Sequence, residues 1–128
     1  MAKAKLVEQA PVLLAKDMSA SLDYWRNCLG FKANTYGDPP EFAVMKRDAC
    51  FMMLAKAPDD HEIVPHWKIR DKTVNAYFWV DDAMALYEEF VASGAKIDYT
   101  PYEQPYGVLE FGIQDLDGHD IAFGQDLD

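Results

Sequence analysis

The chain has 128 residues, half of them apolar, which is enough for one domain with a core of its own. Its formal net charge of −10, from 12 Lys and Arg against 22 Asp and Glu, repels nucleic acid phosphates and anionic membranes. That charge keeps the protein dissolved or favours a cationic ligand, and no apolar run approaches the roughly 18 residues of a bilayer span.

The opening residues, MAKAKLVEQA, carry two lysines without a long apolar stretch or a small-residue cleavage site, so no secretory leader is expected. Residues 10–16, APVLLAK, form a short apolar strand with proline at its start. Asp17 caps a helix whose apolar stripe is Met18, Leu22, Trp25 and Leu29, and Gly30 stops it. A strand from Phe31 ends in the turn or loop at residues 36–40. Residues 41–45 and 50–54 then read as a hairpin across Lys46-Arg47-Asp48-Ala49.

Residues 55–73 contain two prolines, many charges and no sustained period. A connection this long is a linker or a working loop. Residues 75–80 restart the pattern as a strand. Asp81 or Asp82 caps a helix with the stripe Ala83, Leu86, Tyr87, Phe90 and Val91, and Gly94 ends it. Residues 95–99 make another strand. Residues 99–107, with three tyrosines and two prolines, read as a loop. Residues 108–114 and 120–124 form a final hairpin whose Asp117-Gly118 turn leaves His119 exposed.

The two halves repeat. Asp81 lies 64 positions after Asp17, and at that offset Leu86 falls on Leu22, Gly94 on Gly30 and Lys96 on Lys32. The expected fold is α+β: two βαβββ modules in tandem, about residues 8–56 and 73–126, joined by the connection 57–72. They form curled mixed sheets around a groove, with the helices on the outer face, in a single domain spanning 1–128. Strand alternation sends Ala76, Phe78 and Val80 under the helix and Asn75, Tyr77 and Trp79 to the groove, with Val12, Leu14, Ala122 and Gly124 in the matching rows.

Three segments, PVLLAKDMSASLDYWRNCLGF, NAYFWVDDAMALYEEFVASGAK and FGIQDLDGHDIAF, resemble the vicinal-oxygen-chelate superfamily of glyoxalase I, extradiol dioxygenases and bleomycin-resistance proteins. The resemblance covers nearly the whole chain, in order. Metal-using members place His or Glu at four inward strand positions, which carry over to Ala10, Met52, Asn75 and Ala122 here. Alanine and methionine do not serve a hard divalent ion, so neither a metal nor another cofactor is expected. His61, Glu62 and His66 form H-E-x-x-x-H, one residue too long for a helical zinc pair.

The lost ligands, the P-V-L strand and the acidic balance place the chain nearest the bleomycin-resistance branch. That resemblance implies a homodimer that sequesters a bulky, cationic drug-like molecule without a reaction. The expected ligand-binding residues are Trp67, Tyr102 and Tyr106 from the loops, Asn75, Tyr77 and Trp79 from the strand, and Glu110 and Asp120 as anionic contacts. The family's Arg-Glu-Phe before the last hairpin appears here as Leu109-Glu110-Phe111. Two alternatives stand beside this reading: a metal-dependent glyoxalase, lyase or dioxygenase with unconventional ligands, and a scaffold whose groove holds a protein partner. Cys28 and Cys50 read as small buried hydrophobes in a cytoplasmic protein.

Overall fold

A computed structural model describes residues 2–128. The first module contains β1 (Val12–Ala15), α1 (Met18–Asn27), β2 (Lys32–Tyr36), β3 (Phe42–Arg47) and β4 (Cys50–Lys56). A short helix α2 (His66–Ile69) follows. The second module contains β5 (Ala76–Trp79), α3 (Ala83–Ser93), β6 (Lys96–Gln104), β7 (Val108–Gln114) and β8 (Asp120–Asp126). The strands form two four-stranded sheets with one plan, β1-β4-β3-β2 and β5-β8-β7-β6. In each, the first strand pairs parallel with the last and the other pairs are antiparallel.

The repeated plan follows from repeated local chemistry. Asp17 and Asp82 are both extended caps, accepting from Ala20 N at 3.1 Å and Ala85 N at 3.0 Å respectively. Met18, Leu22 and Trp25 are all buried on one side of α1, and Leu29, two residues beyond its end, is buried with them. On α3, Ala83 and Phe90 are buried and Leu86 and Tyr87 pack against the core, whereas Val91 is exposed, contrary to the predicted stripe. Gly94 closes α3 in the left-handed conformation, φ 85°.

Each helix covers one face of its sheet, and the covered faces share a core. Phe31 of the first module meets Phe78 of the second with centroids 6.0 Å apart. Polar links reinforce the contact. Tyr24 Oη donates to the Gln114 carbonyl at 2.6 Å and accepts from Lys96 N at 3.0 Å. Arg47 grips both carboxylate oxygens of Glu89, at 2.7 and 2.8 Å, and donates to the Leu29 carbonyl. The opposite face of each sheet stays uncovered, and the sheets do not close on one another.

Two sequence expectations are corrected. Residues 99–104 belong to β6 rather than to a loop. An edge strand tolerates proline, and the pairing with β7 shifts register between Tyr99 and Tyr102, where Pro101 sits. His119 is buried, not exposed. The turn it occupies clasps the first module: His119 Nε2 donates to the Leu14 carbonyl at 3.0 Å, and Lys16 N donates to Asp117.

Asp115, buried at the base of that turn, accepts from the backbone N–H of His119 and Asp117. Burial pushes its carboxyl up to about 6, with the nearby His119 pulling the other way. The unfolded chain titrates this group near its ordinary value of 3.8, so between the two values the folded state holds the extra proton. The stabilisation is complete below the ordinary value and is lost as pH rises through about 6. Asp115→Asn is expected to flatten the stability profile over that interval, as measured by urea denaturation from pH 4 to 7. An unchanged slope would show that Asp115 does not set it.

Candidate functional site

Alternation along β5 buries Ala76 and Phe78, while Tyr77 and Trp79 stand on the uncovered face with 37% and 62% of their surface exposed. Their rings are tilted against each other at 5.0 Å. Strand register extends this face into rows. Tyr77 lies beside Ala122, Gly112 and Tyr99, and Trp79 lies beside Gly124, Glu110 and Tyr102.

Glu110 is the centre of the face and is only 6% exposed. Its Oε1 accepts from the hydroxyls of Tyr77 and Tyr106, each at 2.8 Å. Its Oε2 accepts from Tyr99 at 2.7 Å and from Gln104 Nε2 at 3.2 Å. Gln104 also donates to Tyr102 Oη at 2.6 Å, which ties a fourth tyrosine to the cluster. Burial holds the Tyr77 and Tyr99 hydroxyls far above the ordinary phenol value, with the Glu110 carboxylate acting in the same direction. The same two causes push Tyr106 up to about 12. All three are neutral donors at physiological pH.

Two glycines make the arrangement possible. A Cβ on Gly124 would overlap the Tyr77 hydroxyl, and one on Gly112 would overlap the Tyr99 ring. The bare strands β7 and β8 let both rings lie down on the sheet until their hydroxyls reach Glu110. A glycine inside a strand pattern signals such a close approach, and Gly112 is the one hint in the sequence of the Tyr99 contact, while nothing in the sequence points to the Gln104 contact.

Of the residues expected from sequence, the structure brings Tyr77, Tyr102, Tyr106 and Glu110 into this cluster, with Trp79 beside it. Tyr102 contributes from strand β6, not from a loop. The other three lie at the far end of the sheet. Trp67, on α2, donates its Nε1 to the Gly118 carbonyl at 2.7 Å, which anchors the connection to the β7–β8 turn. Asn75 Oδ1 accepts from His66 N at 3.1 Å. Asp120 accepts from Gln114 Nε2 at 2.8 Å, and burial raises its carboxyl, with the neighbouring Asp98 also raising it.

The uncovered face of the first sheet differs in character. Val12, Leu14, Phe42, Val44, Phe51 and Met53 are partly or largely exposed there, and Lys32 and Lys46 pair across the strands at one end. A cleft of about 600 Å³ joins the two faces, running between residues 7–11, Phe51 and the Tyr77–Trp79 pair.

The four family metal positions do not fit a divalent ion. Met52 points into the core, and its groove-side neighbours Phe51 and Met53 carry no hard donor. Ala10 and Ala122 offer no side-chain ligand, and the Asn75 oxygen is already engaged by His66. Among the described residues, no three His, Cys, Asp or Glu side chains gather into a possible metal site. Among them, too, no helix is long and apolar enough to cross a membrane.

Comparison with known proteins agrees with the topology. No curated protein sequence matches. The bleomycin-binding protein from bleomycin-producing Streptomyces verticillus, solved with copper(II)-bleomycin, is 26% identical. That match covers 94% of this chain and 97% of that one, with a TM-score of 0.72. A glyoxalase-related enzyme from Clostridium phytofermentans superposes with a TM-score of 0.75 at 19% identity, over 96% and 97% of the two chains. A lactoylglutathione lyase from Agrobacterium tumefaciens gives 0.70 at 17% identity, over 96% of each. The model of the Glyoxalase/Bleomycin resistance protein/Dioxygenase superfamily matches residues 9–123, and the chain belongs to that superfamily.

Proposed function

We propose that this protein binds a bulky, planar, cationic small molecule and holds it without reaction, in grooves completed by a second copy of the chain. The observation that carries this reading is the uncovered face of the second sheet. Aromatic rings surround a buried carboxylate there, while the positions that hold a catalytic ion in the superfamily's enzymes carry no His or Glu and offer a single amide oxygen, that of Asn75, which His66 already engages. Likeness to a protein solved with copper(II)-bleomycin supports the same ligand class.

The two open faces favour a dimer. The first is apolar with Lys32 and Lys46 at one end, and the second carries Glu110, Asp98 and Asp120 against the one cation Lys96 in the Asp120 row. A two-fold axis that lays each face on the other's partner covers both and creates two identical grooves. The unpaired thiols of Cys28 and Cys50 suit a reducing cytoplasm.

Native mass spectrometry of fresh protein should report a dimer mass. Titration with planar cationic drugs, bleomycin among them, should quench tryptophan emission, and Trp79→Phe should remove most of the quench. Emission unchanged across the whole panel would overturn the binding function.

A further inference from the structure

Glu110 is a buried charge without a partner of opposite sign. Among the described residues, the ion pairs use Arg47 and Lys56, and no Lys, Arg or His nitrogen lies within 4.0 Å of the Glu110 carboxylate. An ionised carboxylate has about four acceptor positions. Here all four are filled, by three phenols and one amide, so the group is satisfied in hydrogen bonds and uncompensated in charge.

That combination selects among cations. A primary ammonium brings three N–H donors and a guanidinium five, and each needs acceptors to replace the water it sheds. At Glu110 those positions are taken. A fully alkylated cation has no such requirement and is attracted both by the charge beneath and by ring faces around it. The rings are available: Tyr77 lies over Gly124 as a floor, Trp79 stands to one side, and Tyr102 and Tyr106 stand on the other, half exposed or more. Tyr77 and Trp79 are inclined by 57°, and Tyr99 and Tyr102 by 62°, so their faces do not lie in one plane.

We propose that the surface formed by Tyr77, Trp79, Tyr102 and Tyr106 above Glu110 is a subsite for a fully alkylated onium group, a quaternary ammonium or sulfonium. It deepens the proposed function and rests on that reading, in which this face lines the ligand groove. The hydrogen-bond saturation of Glu110 supplies the selectivity. Gln104 contributes as a positioning residue, because it fills the fourth acceptor place and orients Tyr102.

The test uses the intact full-length protein and three matched probes: choline, ethanolamine and the neutral isostere 3,3-dimethylbutan-1-ol, followed by tryptophan emission and calorimetry. Choline should bind about tenfold more tightly than either of the others. Glu110→Gln should bring choline within about threefold of the neutral isostere, because the shape remains and the charge is gone. Trp79→Leu, at an exposed position that leaves the carboxylate network intact, should weaken choline about tenfold. It decides the matter alone if Glu110→Gln fails to fold. Ethanolamine or the alcohol matching choline, no choline binding, or a preference that survives Glu110→Gln would each overturn the subsite. Failure here with drug quenching intact removes the onium subsite and leaves the groove. Choline binding without any drug binding does the reverse.

Discussion

Gly124→Ala is expected to cost about 2–4 kcal/mol of folding stability, a large loss for one added methyl group on a strand. The backbone at Gly124 does not sit in the left-handed region, so alanine is acceptable locally. The cost arises because the new Cβ would occupy the place of the Tyr77 hydroxyl, with the Val108 Cγ1 methyl at 2.8 Å as a second obstacle. Tyr77 must lift off the sheet and give up its bond to Glu110 Oε1, a hydrogen bond to a charged group worth about 1.5–3 kcal/mol. The double-mutant cycle isolates this cause. In a Tyr77→Ala background, Gly124→Ala should cost only about 1 kcal/mol, the part owed to Val108. Urea denaturation of the four proteins gives the coupling, and equal costs in the two backgrounds would sink the explanation.

Trp25→Ala should be more damaging, at about 3–5 kcal/mol from a total that for domains of this kind is about 5–15 kcal/mol. Trp25 is fully buried on α1 and meets the edge of Phe31 at 5.0 Å, and Phe31 in turn touches Phe78 of the other module. The cavity would open where the halves join. The melting midpoint should fall by about 10–20 °C, measured by circular dichroism. Trp25→Phe is a sharper control. The Trp25 Nε1 donor is buried without a partner, and such an orphan costs about 1–3 kcal/mol. Phenylalanine loses some packing but also removes the orphan, so the net change should stay within about 1 kcal/mol. A phenylalanine variant as unstable as the alanine one would contradict this account.

The doubled plan was legible because it rests on local signals that occur twice. The aspartate caps, the apolar stripe of α1 and the alternation of Ala76, Tyr77, Phe78 and Trp79 each follow from residues within one turn or one strand. Less legible were features decided by distant partners. His119 follows an Asp-Gly turn, and such tips are ordinarily solvated, but this one reaches Leu14 across 105 residues of sequence. The stretch from Tyr99 to Gln104 has Pro101 within it and Pro105 just after it, the marks of a loop, and its position on a sheet edge allows it to pair. Glu110 stands out in the sequence as a candidate anionic contact. Tyr77, Tyr99 and Gln104 converge on it through strand pairing and Tyr106 reaches it from the β6–β7 turn, and the sequence displays neither. Trp67 has the composition of a groove residue, yet its indole N–H is committed to the Gly118 carbonyl.

The hydrogen bonds that join the halves run between residues far apart along the chain: Lys16 with Asp117, Tyr24 with Gln114, Ser93 with Cys28. None depends on the peptide that connects the halves near Asp59 and Asp60, both exposed. A polypeptide nicked at that point therefore keeps its long-range grip, and two separately made fragments carry complementary surfaces for reassembly. Apart, each would expose the aromatic side it shares with the other and would stick to whatever offered grease. Together they should recover one cooperative transition, which makes the protein a natural frame for fragment complementation.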